Sequence, residues 1–301
     1  MTITLATFNL LDWFDLDAAA IARRVAAVAP QVRALAADVI GFQEVASDAA
    51  FQRLADASGF AGATIVHGTR DARGIGCSLA SRLPVLRREI LTCEALQFPA
   101  FSQGDPEPFG ARIPLRRGVV SVLVDGGPIG KVQLFVAHLK SMRALPMKDA
   151  RGAIVEPASQ GDWADAEVRT LVWRAAEALF VRRAVDVAIA RAEADHVVVM
   201  GDLNDVAGSL PLRALTGKGE GALASVGETV PLARRTSIFH HGKPSAIDHI
   251  LVSSALMSRL LEARFVCEDL VDMSELPRDA PMPAGSDHAP LFARFGGAVL
   301  V

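Results

Sequence analysis

Residues 197 to 205, Val-Val-Val-Met-Gly-Asp-Leu-Asn-Asp, bring an apolar run to an abrupt stop at a carboxylate and an amide two positions apart. Such a run, bounded by Gly201, reads as an interior strand, where side chains at i and i+2 share a face, so Asp202 and Asn204 look the same way from a strand end. Taken alone, the pair would serve as a helix cap or an Asx-turn. The pattern recurs, however. Ile3 to Phe8 runs into Asn9, Val39 to Gln43 into Glu44, and Val132 to Ala137 into His138, with Lys140 two further on. Asp248-His249 opens the run Ile250 to Val252, and Ser286-Asp287-His288 precedes Pro290 to Phe292. If these strands lie side by side, one rim of a sheet collects Asn9, Glu44, His138, Asp202, Asn204, Asp248, Asp287 and His288. An oxygen-rich acidic group with two imidazoles suits a hard divalent cation combined with acid/base chemistry.

Six blocks stand out: Ala6-Thr7-Phe8-Asn9, Gly41-Phe42-Gln43-Glu44-Val45, Ala137-His138-Leu139-Lys140-Ser141, Gly201-Asp202-Leu203-Asn204-Asp205, Ile247-Asp248-His249-Ile250-Leu251 and Gly285-Ser286-Asp287-His288-Ala289-Pro290. In these blocks the chain resembles the endonuclease/exonuclease/phosphatase superfamily of metal-dependent phosphohydrolases, the deoxyribonuclease-like group. Each is short, but they follow the family's order from residue 6 to residue 290.

The resemblance implies Mg²⁺- or Mn²⁺-dependent hydrolysis of a phosphate ester. Glu44, with Asn9 and Asp287, then supplies the few oxygen ligands that Mg²⁺ prefers, completed by water and phosphate. Asp202 orients or deprotonates the attacking water, and Asn204 donates to a phosphoryl oxygen. Asp248 holds the His288 ring, fixing its tautomer and favouring its charged form against phosphate. His138 is the counterpart across the scissile group. Lys140 and Arg112 are phosphate clamps on this view, Arg112 because Phe109-Gly110-Ala111-Arg112 resembles the arginine segment of deoxyribonuclease members; as lone residues both would be ordinary surface charges. Asp71, in Arg70-Asp71-Ala72-Arg73-Gly74-Ile75, either braces His138 or closes a turn by Asx chemistry, and the turn is favoured. His240 and His241 read as a loop pair, without a third nitrogen or sulfur ligand at zinc spacing.

The chain has no tyrosine, so the active-site tyrosine of abasic-site repair members is missing, as is the tryptophan-rich aspartate block of inositol polyphosphate phosphatases. The reaction class is therefore clearer than the substrate. A nuclease or phosphodiesterase leads; a phosphomonoesterase or small phosphodiester hydrolase is the alternative; a non-catalytic binding module on the same fold comes last, because every matched catalytic position is retained.

Periodicity gives the helices and strands that carry these residues. Apolar spacings of three and four predict helices over 17 to 37, where Pro30 should kink or split the helix, and over 164 to 192, with Val168, Leu171, Val172, Ala175, Ala176 and Leu179 as its stripe and the arginines elsewhere. Alternation predicts strands over 63 to 68, 75 to 80, 85 to 91, 119 to 125 and 259 to 266. Strands in two groups, each followed by helical coverage, suggest two packed sheets between helical layers. The resemblance implies the α/β class in the same form: a four-layer α/β/β/α sandwich of two mixed, mostly antiparallel sheets, as one domain over residues 1 to 301. Two irregular basic stretches, 96 to 117 and 142 to 163, are expected to flank the catalytic rim.

Composition agrees. With 51% hydrophobic and 22% charged residues the chain can bury a large core. Its formal net charge of −3 leaves any polyanion to a local basic patch rather than to the whole molecule. Cys77, Cys93 and Cys267 are too irregular for a disulfide framework or a zinc site. No basic leader with an apolar segment opens the chain and no stretch is long enough to span a membrane, so a cytoplasmic setting is expected, although a processed secreted form would look the same. The expected partner is a phosphate ester, nucleic acid among the choices; oligomeric state is not legible.

Overall fold

The structure is a computed structural model that describes residues 2–14, 17–104, 110–268, 270–277 and 283–297. In chain order its elements are β1 (Thr2–Trp13), α1 (Ala18–Ala34), β2 (Val39–Val45), α2 (Asp48–Ala55), β3 (Thr64–His67), β4 (Gly76–Ser81), β5 (Val85–Leu91), β6 (Val119–Asp125), β7 (Lys131–His138), α3 (Gln160–Arg191), β8 (His196–Asp202), α4 (Leu210–Thr216), β9 (Leu223–Ser225), β10 (Ile238–His240), β11 (Lys243–Ser245), β12 (Asp248–Ser253), α5 (Ser254–Met257), β13 (Leu260–Phe265) and β14 (Leu291–Gly296). One six-stranded sheet has the order β13-β14-β1-β2-β4-β3 and the other β5-β6-β7-β8-β12-β9, with β10 and β11 as a separate hairpin. Only β1/β2 and β7/β8 pair in parallel among the described strands, each across a helical crossover, α1 and α3 respectively.

Strand parity builds the layers. On β7, Val132, Leu134 and Val136 face the other sheet, while Phe135 and Ala137 face α3. On β8, Val198 and Met200 point between the sheets, and Val197 and Val199 point to the helices. On β1, Ile3 and Leu5 point between the sheets and Ala6, Phe8 and Leu10 toward α1. Both faces of these strands are covered, which is why they read as continuous apolar runs. The order of layers is α1 and α2, first sheet, second sheet, α3 and α4, the expected four-layer sandwich.

Two helix expectations need correction. Helix α1 is not split at Pro30, which removes one hydrogen bond without ending the helix. Helix α3 begins at Gln160, inside the stretch expected to be loop, because Ser159 and Asp162 form a reciprocal capping box. Its buried face follows the expected apolar stripe only in part: Ala176 is buried, but Val168 and Leu171 are exposed, and Thr170, Arg174, Glu177, Val181 and Val185 are buried as well. None of the described helices is long and apolar enough to cross a membrane.

Candidate active site

The same parity that fills the seam between the sheets delivers the polar residues at its open end. His138 follows Val136 by two positions, Asp202 follows Met200 by two, and Asp248 precedes Ile250 by two, so all three continue the inter-sheet face. Their strands are neighbours, and the register pairs His138 with Asp202 across β7/β8 and Asp248 with Asp202 across β8/β12. Asp202 is therefore the centre of a row of three. The expected single rim is in fact two, since Asn9 and Glu44 come from β1 and β2 of the facing sheet. Close packing here leaves no room for a side chain at Gly201, whose φ is +146° and whose added Cβ would fall 1.8 Å from the carbonyl oxygen of Ala137.

Asp202 Oδ2 is the focus. Asn9 Nδ2 donates to it at 2.9 Å, His138 Nε2 lies 3.4 Å away and His288 Nε2 4.0 Å away. Burial, then the charge of Asp248, push the Asp202 carboxyl up to about 7. His288 Nδ1 is 2.7 Å from Asp248 Oδ2. Burial alone would lower this imidazole, but Asp248, with Asp202 and Asp287, outweighs it and raises His288 to about 10. His138 differs: burial first, and the Arg117 guanidinium second, hold it well below the usual histidine range, so it is neutral. Arg117 Nη1 lies 2.9 Å from its Nδ1. The site thus holds one charged and one neutral imidazole on either side of a carboxylate.

Backbone geometry aims these groups. Glu44 sits at φ +62° where the β2/β4 register slips between Phe42 and Val45, and this bulge turns its carboxylate to accept the Asp12 N–H at 2.8 Å. Asn204, at φ +53°, donates its N–H to Asp202 Oδ1 at 3.0 Å and one side-chain N–H to the Leu139 carbonyl at 3.0 Å, leaving the other free to donate. The Ser286 hydroxyl donates to the Asn9 carbonyl at 2.7 Å and accepts the His288 N–H at 3.0 Å, tying the last block to β1. Ser237 Oγ accepts the Asp248 N–H at 3.1 Å and so fixes the start of β12.

Asp287 and Glu44 both have carboxyl pKa values raised, by burial first. Asp287 Oδ1 and Asp248 Oδ1 are buried without a hydrogen-bond partner. A buried carboxylate oxygen without a hydrogen-bond donor, as in Asp287, fits a hard cation. Asp202, Asp248 and His288 also place ligand-type atoms within 4.8 Å of one another, but the Asp248–His288 hydrogen bond and the charged imidazole make that trio an acid/base group rather than a cation cage.

Asn9 and Lys140 sit in hydrogen-bond geometries that bear on the roles the resemblance implies for them. Asn9, a metal ligand on the resemblance, here accepts the Leu11 N–H through Oδ1 at 3.0 Å and donates through Nδ2 to Asp202 Oδ2, so in this geometry it positions that carboxylate. Lys140 was expected to clamp phosphate, yet it is buried and its Nζ is spent on Ser141 O, Ser141 Oγ and Arg143 O at 2.8, 3.1 and 3.0 Å. It braces the loop after β7. Arg112 lies exposed in a short 3-10 turn, and Phe109 lies outside the described residues. Asp71 does both things weighed for it: Oδ1 closes a turn with the Arg73 N–H at 2.8 Å, while Oδ2 lies 3.9 Å from Arg117 Nε and so reaches His138 only through that guanidinium.

In the sequence Arg117 stands only among the basic residues of the 96–117 stretch, and neither Arg174 nor Glu177 has a role assigned to it. The β6/β7 hairpin register, Val120 opposite Val136, puts residue 118 opposite His138, and this short connection was a signal that could have placed Arg117 beside the histidine. From the buried face of α3, Arg174 Nε donates to Asp205 Oδ2 at 2.7 Å, Glu177 Oε2 accepts the Lys140 N–H at 2.6 Å, and the Thr170 hydroxyl donates to the Ser141 carbonyl at 2.9 Å. The helix thereby holds the segments that follow both His138 and Asp202. His240 and His241 stay at the β10/β11 turn, ring centroids 4.4 Å apart.

Known proteins resemble the chain in family and in fold. A profile described as the Endonuclease/Exonuclease/phosphatase family matches residues 7–288. No curated protein sequence matches the chain. Among solved structures, a truncated TDP2 from Caenorhabditis elegans is 16% identical with a TM-score of 0.60, covering 98% of each chain. An AP endonuclease from Archaeoglobus fulgidus is 17% identical with a TM-score of 0.58, covering 97% of this chain and 99% of its own. The 3′ phosphatase NExo from Neisseria, bound to a product DNA hairpin, is 20% identical with a TM-score of 0.56, covering 98% of this chain and 99% of its own. At these identities the likeness is one of fold.

Proposed function

The chain belongs to the endonuclease/exonuclease/phosphatase family, and on that premise we propose that it is a divalent-metal-dependent phosphoric ester hydrolase acting as a nuclease or phosphodiesterase. The observation that carries this reading is that one carboxylate oxygen, Asp202 Oδ2, faces the Asn9 amide and the two imidazoles together. Asp202 takes a proton from the attacking water as the new P–O bond forms and the P–O bond opposite it breaks, the leaving oxygen taking its proton from solvent. Asn9 holds that carboxylate. His288, kept charged by Asp248, stabilises the negative charge that builds on the phosphoryl oxygens, and the free side-chain N–H of Asn204 adds a donor. His138, neutral, lies on the other side of Asp202 and contacts the leaving or a non-bridging oxygen.

Members of the family generally use a divalent metal, and the residues present fit one. Glu44 and Asp287 would hold it, with Mg²⁺ or Mn²⁺ suited to their oxygens. When bound, the ion would polarise the phosphoryl group and offset its charge.

The test is turnover of single-stranded DNA, duplex DNA, RNA, bis-p-nitrophenyl phosphate and p-nitrophenyl phosphate, each with Mg²⁺ and with chelator. Metal-dependent cleavage of at least one of the diesters is expected. Cleavage of p-nitrophenyl phosphate alone would make the protein a monoesterase, and no turnover of any substrate would remove the reading.

A further inference from the structure

Beside the catalytic seam lies a cavity of about 540 Å³ whose walls come from the 70–72 turn, the 114–116 and 145–148 loops, and α3. It joins the site through Asp71, which lines the cavity and lies 3.9 Å from the Arg117 guanidinium, itself 2.9 Å from His138. The two walls nearest α3 are preformed. Trp173 Nε1 donates to the Pro114 carbonyl at 3.2 Å, Arg169 Nη1 donates to the Leu145 carbonyl at 2.8 Å, and the Leu145 N–H is bonded to Ala166 at 3.0 Å.

The lining combines two chemistries. Trp173 presents an indole with the Arg116 guanidinium 5.4 Å from its ring centroid, and Leu115 and Met147 add apolar surface. Arg116, Lys148 and Arg169 supply positive charge, while the carboxylate of Asp71 is directed to its own turn and to Arg117. In a chain of net charge −3, this is the kind of local basic patch that a polyanion would need. A flat group stacked on an aromatic and a guanidinium, with cations at its edge, describes a nucleobase and its phosphate. The cavity volume falls within the roughly 300–1,000 Å³ of small-ligand pockets, room for a nucleotide and not for a helix. A base in a duplex is stacked and paired, so its face is not available to Trp173.

We propose that this cavity binds one unpaired nucleotide flanking the scissile phosphate, so that the substrate is single-stranded nucleic acid or the unpaired end of a strand. The inference rests on the phosphodiesterase reading above for the identity of the neighbouring site.

Binding and turnover test the two separately. In chelator, anisotropy of a labelled short oligothymidylate is measured against the same strand annealed into a blunt duplex. The single strand should bind at least about 10-fold more tightly at one salt concentration. Trp173→Ala should weaken it by about 10-fold or more, the range expected for one lost stacking contact, and Trp173→Phe should recover most of that. Lys148→Gln should reduce the salt slope by about one. With Mg²⁺, Trp173→Ala should raise KM for the oligonucleotide far more than it lowers kcat. Arg116→Gln, which keeps the chain and removes the charge, should also weaken binding and decides the matter if Trp173→Ala does not fold. The proposal is overturned by a duplex that binds as tightly as the single strand, by no binding of either, or by Trp173→Ala and Arg116→Gln variants that bind as the wild type does. Absence of Mg²⁺-dependent turnover of bis-p-nitrophenyl phosphate by the wild type counts instead against the phosphodiesterase reading.

Discussion

His288 Nδ1 lies 2.7 Å from Asp248 Oδ2, and the carboxylate that receives it is wholly buried at the start of β12, 40 residues earlier in the chain. The two act as one unit in the proposed mechanism, Asp248 keeping the imidazole charged and turned toward Asp202. His288→Ala and Asp248→Asn should therefore each lower kcat by about 10²–10⁴-fold, and the double variant should be little worse than either. Rates that multiply would show the residues working independently.

Asp202 and Glu44 stand on facing sheets and should fail differently. Chelator should abolish turnover. Glu44→Gln should regain part of its rate as Mg²⁺ is raised, because it weakens the cation site, whereas Asp202→Asn should stay about 10²–10⁴-fold slow at every concentration, because the water loses its base. Matching metal titrations for the two variants would contradict this division of roles.

Arg174 and Asp205 form an ion pair in which the side chains are 6% and 9% exposed. Removing one partner strands the other, so Arg174→Ala should cost about 3–5 kcal/mol in urea unfolding. Arg174→Met combined with Asp205→Leu should recover much of that stability. Activity should fall in both, since the segments after His138 and Asp202 lose their anchor on α3.

Gly201 allows β7 and β8 to approach. An alanine there combines a strained φ with a Cβ placed against the Ala137 carbonyl, so Gly201→Ala should lose more than about 3 kcal/mol or fail to fold. Near-native stability would mean that the strands can separate without cost.

Lys140 offers a pH test. Burial first, then the charges of Arg116 and Arg174, lower its ammonium from 10.5 to about 8. Between those values the unfolded chain holds more protons than the native one, so this group adds stability as pH rises from about 8 toward 10 and removes it as pH falls back through 8. Comparing urea unfolding of the wild type and Lys140→Met across that range should show a flatter rise in the variant.

The sheet strands and their inward parity were legible in the sequence because a strand's side-chain alternation is local. Val136 and His138, or Met200 and Asp202, share a face whatever lies opposite. The short β6/β7 connection carried a further signal, since its register brings Arg117 beside His138. The polar face of α3 was not legible. Thr170, Arg174 and Glu177 recur at the same spacing whether they meet water or protein, and the apolar neighbours Val168 and Leu171 gave the more familiar pattern while facing solvent.

The family, the order of the blocks and the side of each strand on which the polar residues emerge could therefore be read from the chain alone. Only the tertiary structure decided that they come from the rims of two facing sheets, that Asp202 lies between a charged and a neutral histidine, and that Asn9 holds a carboxylate while Lys140 braces a loop. The physical reason is that alternation along a strand is set by neighbouring residues, whereas hydrogen-bond partners and ionisation depend on burial and on charges brought close by strands and helices distant in the chain.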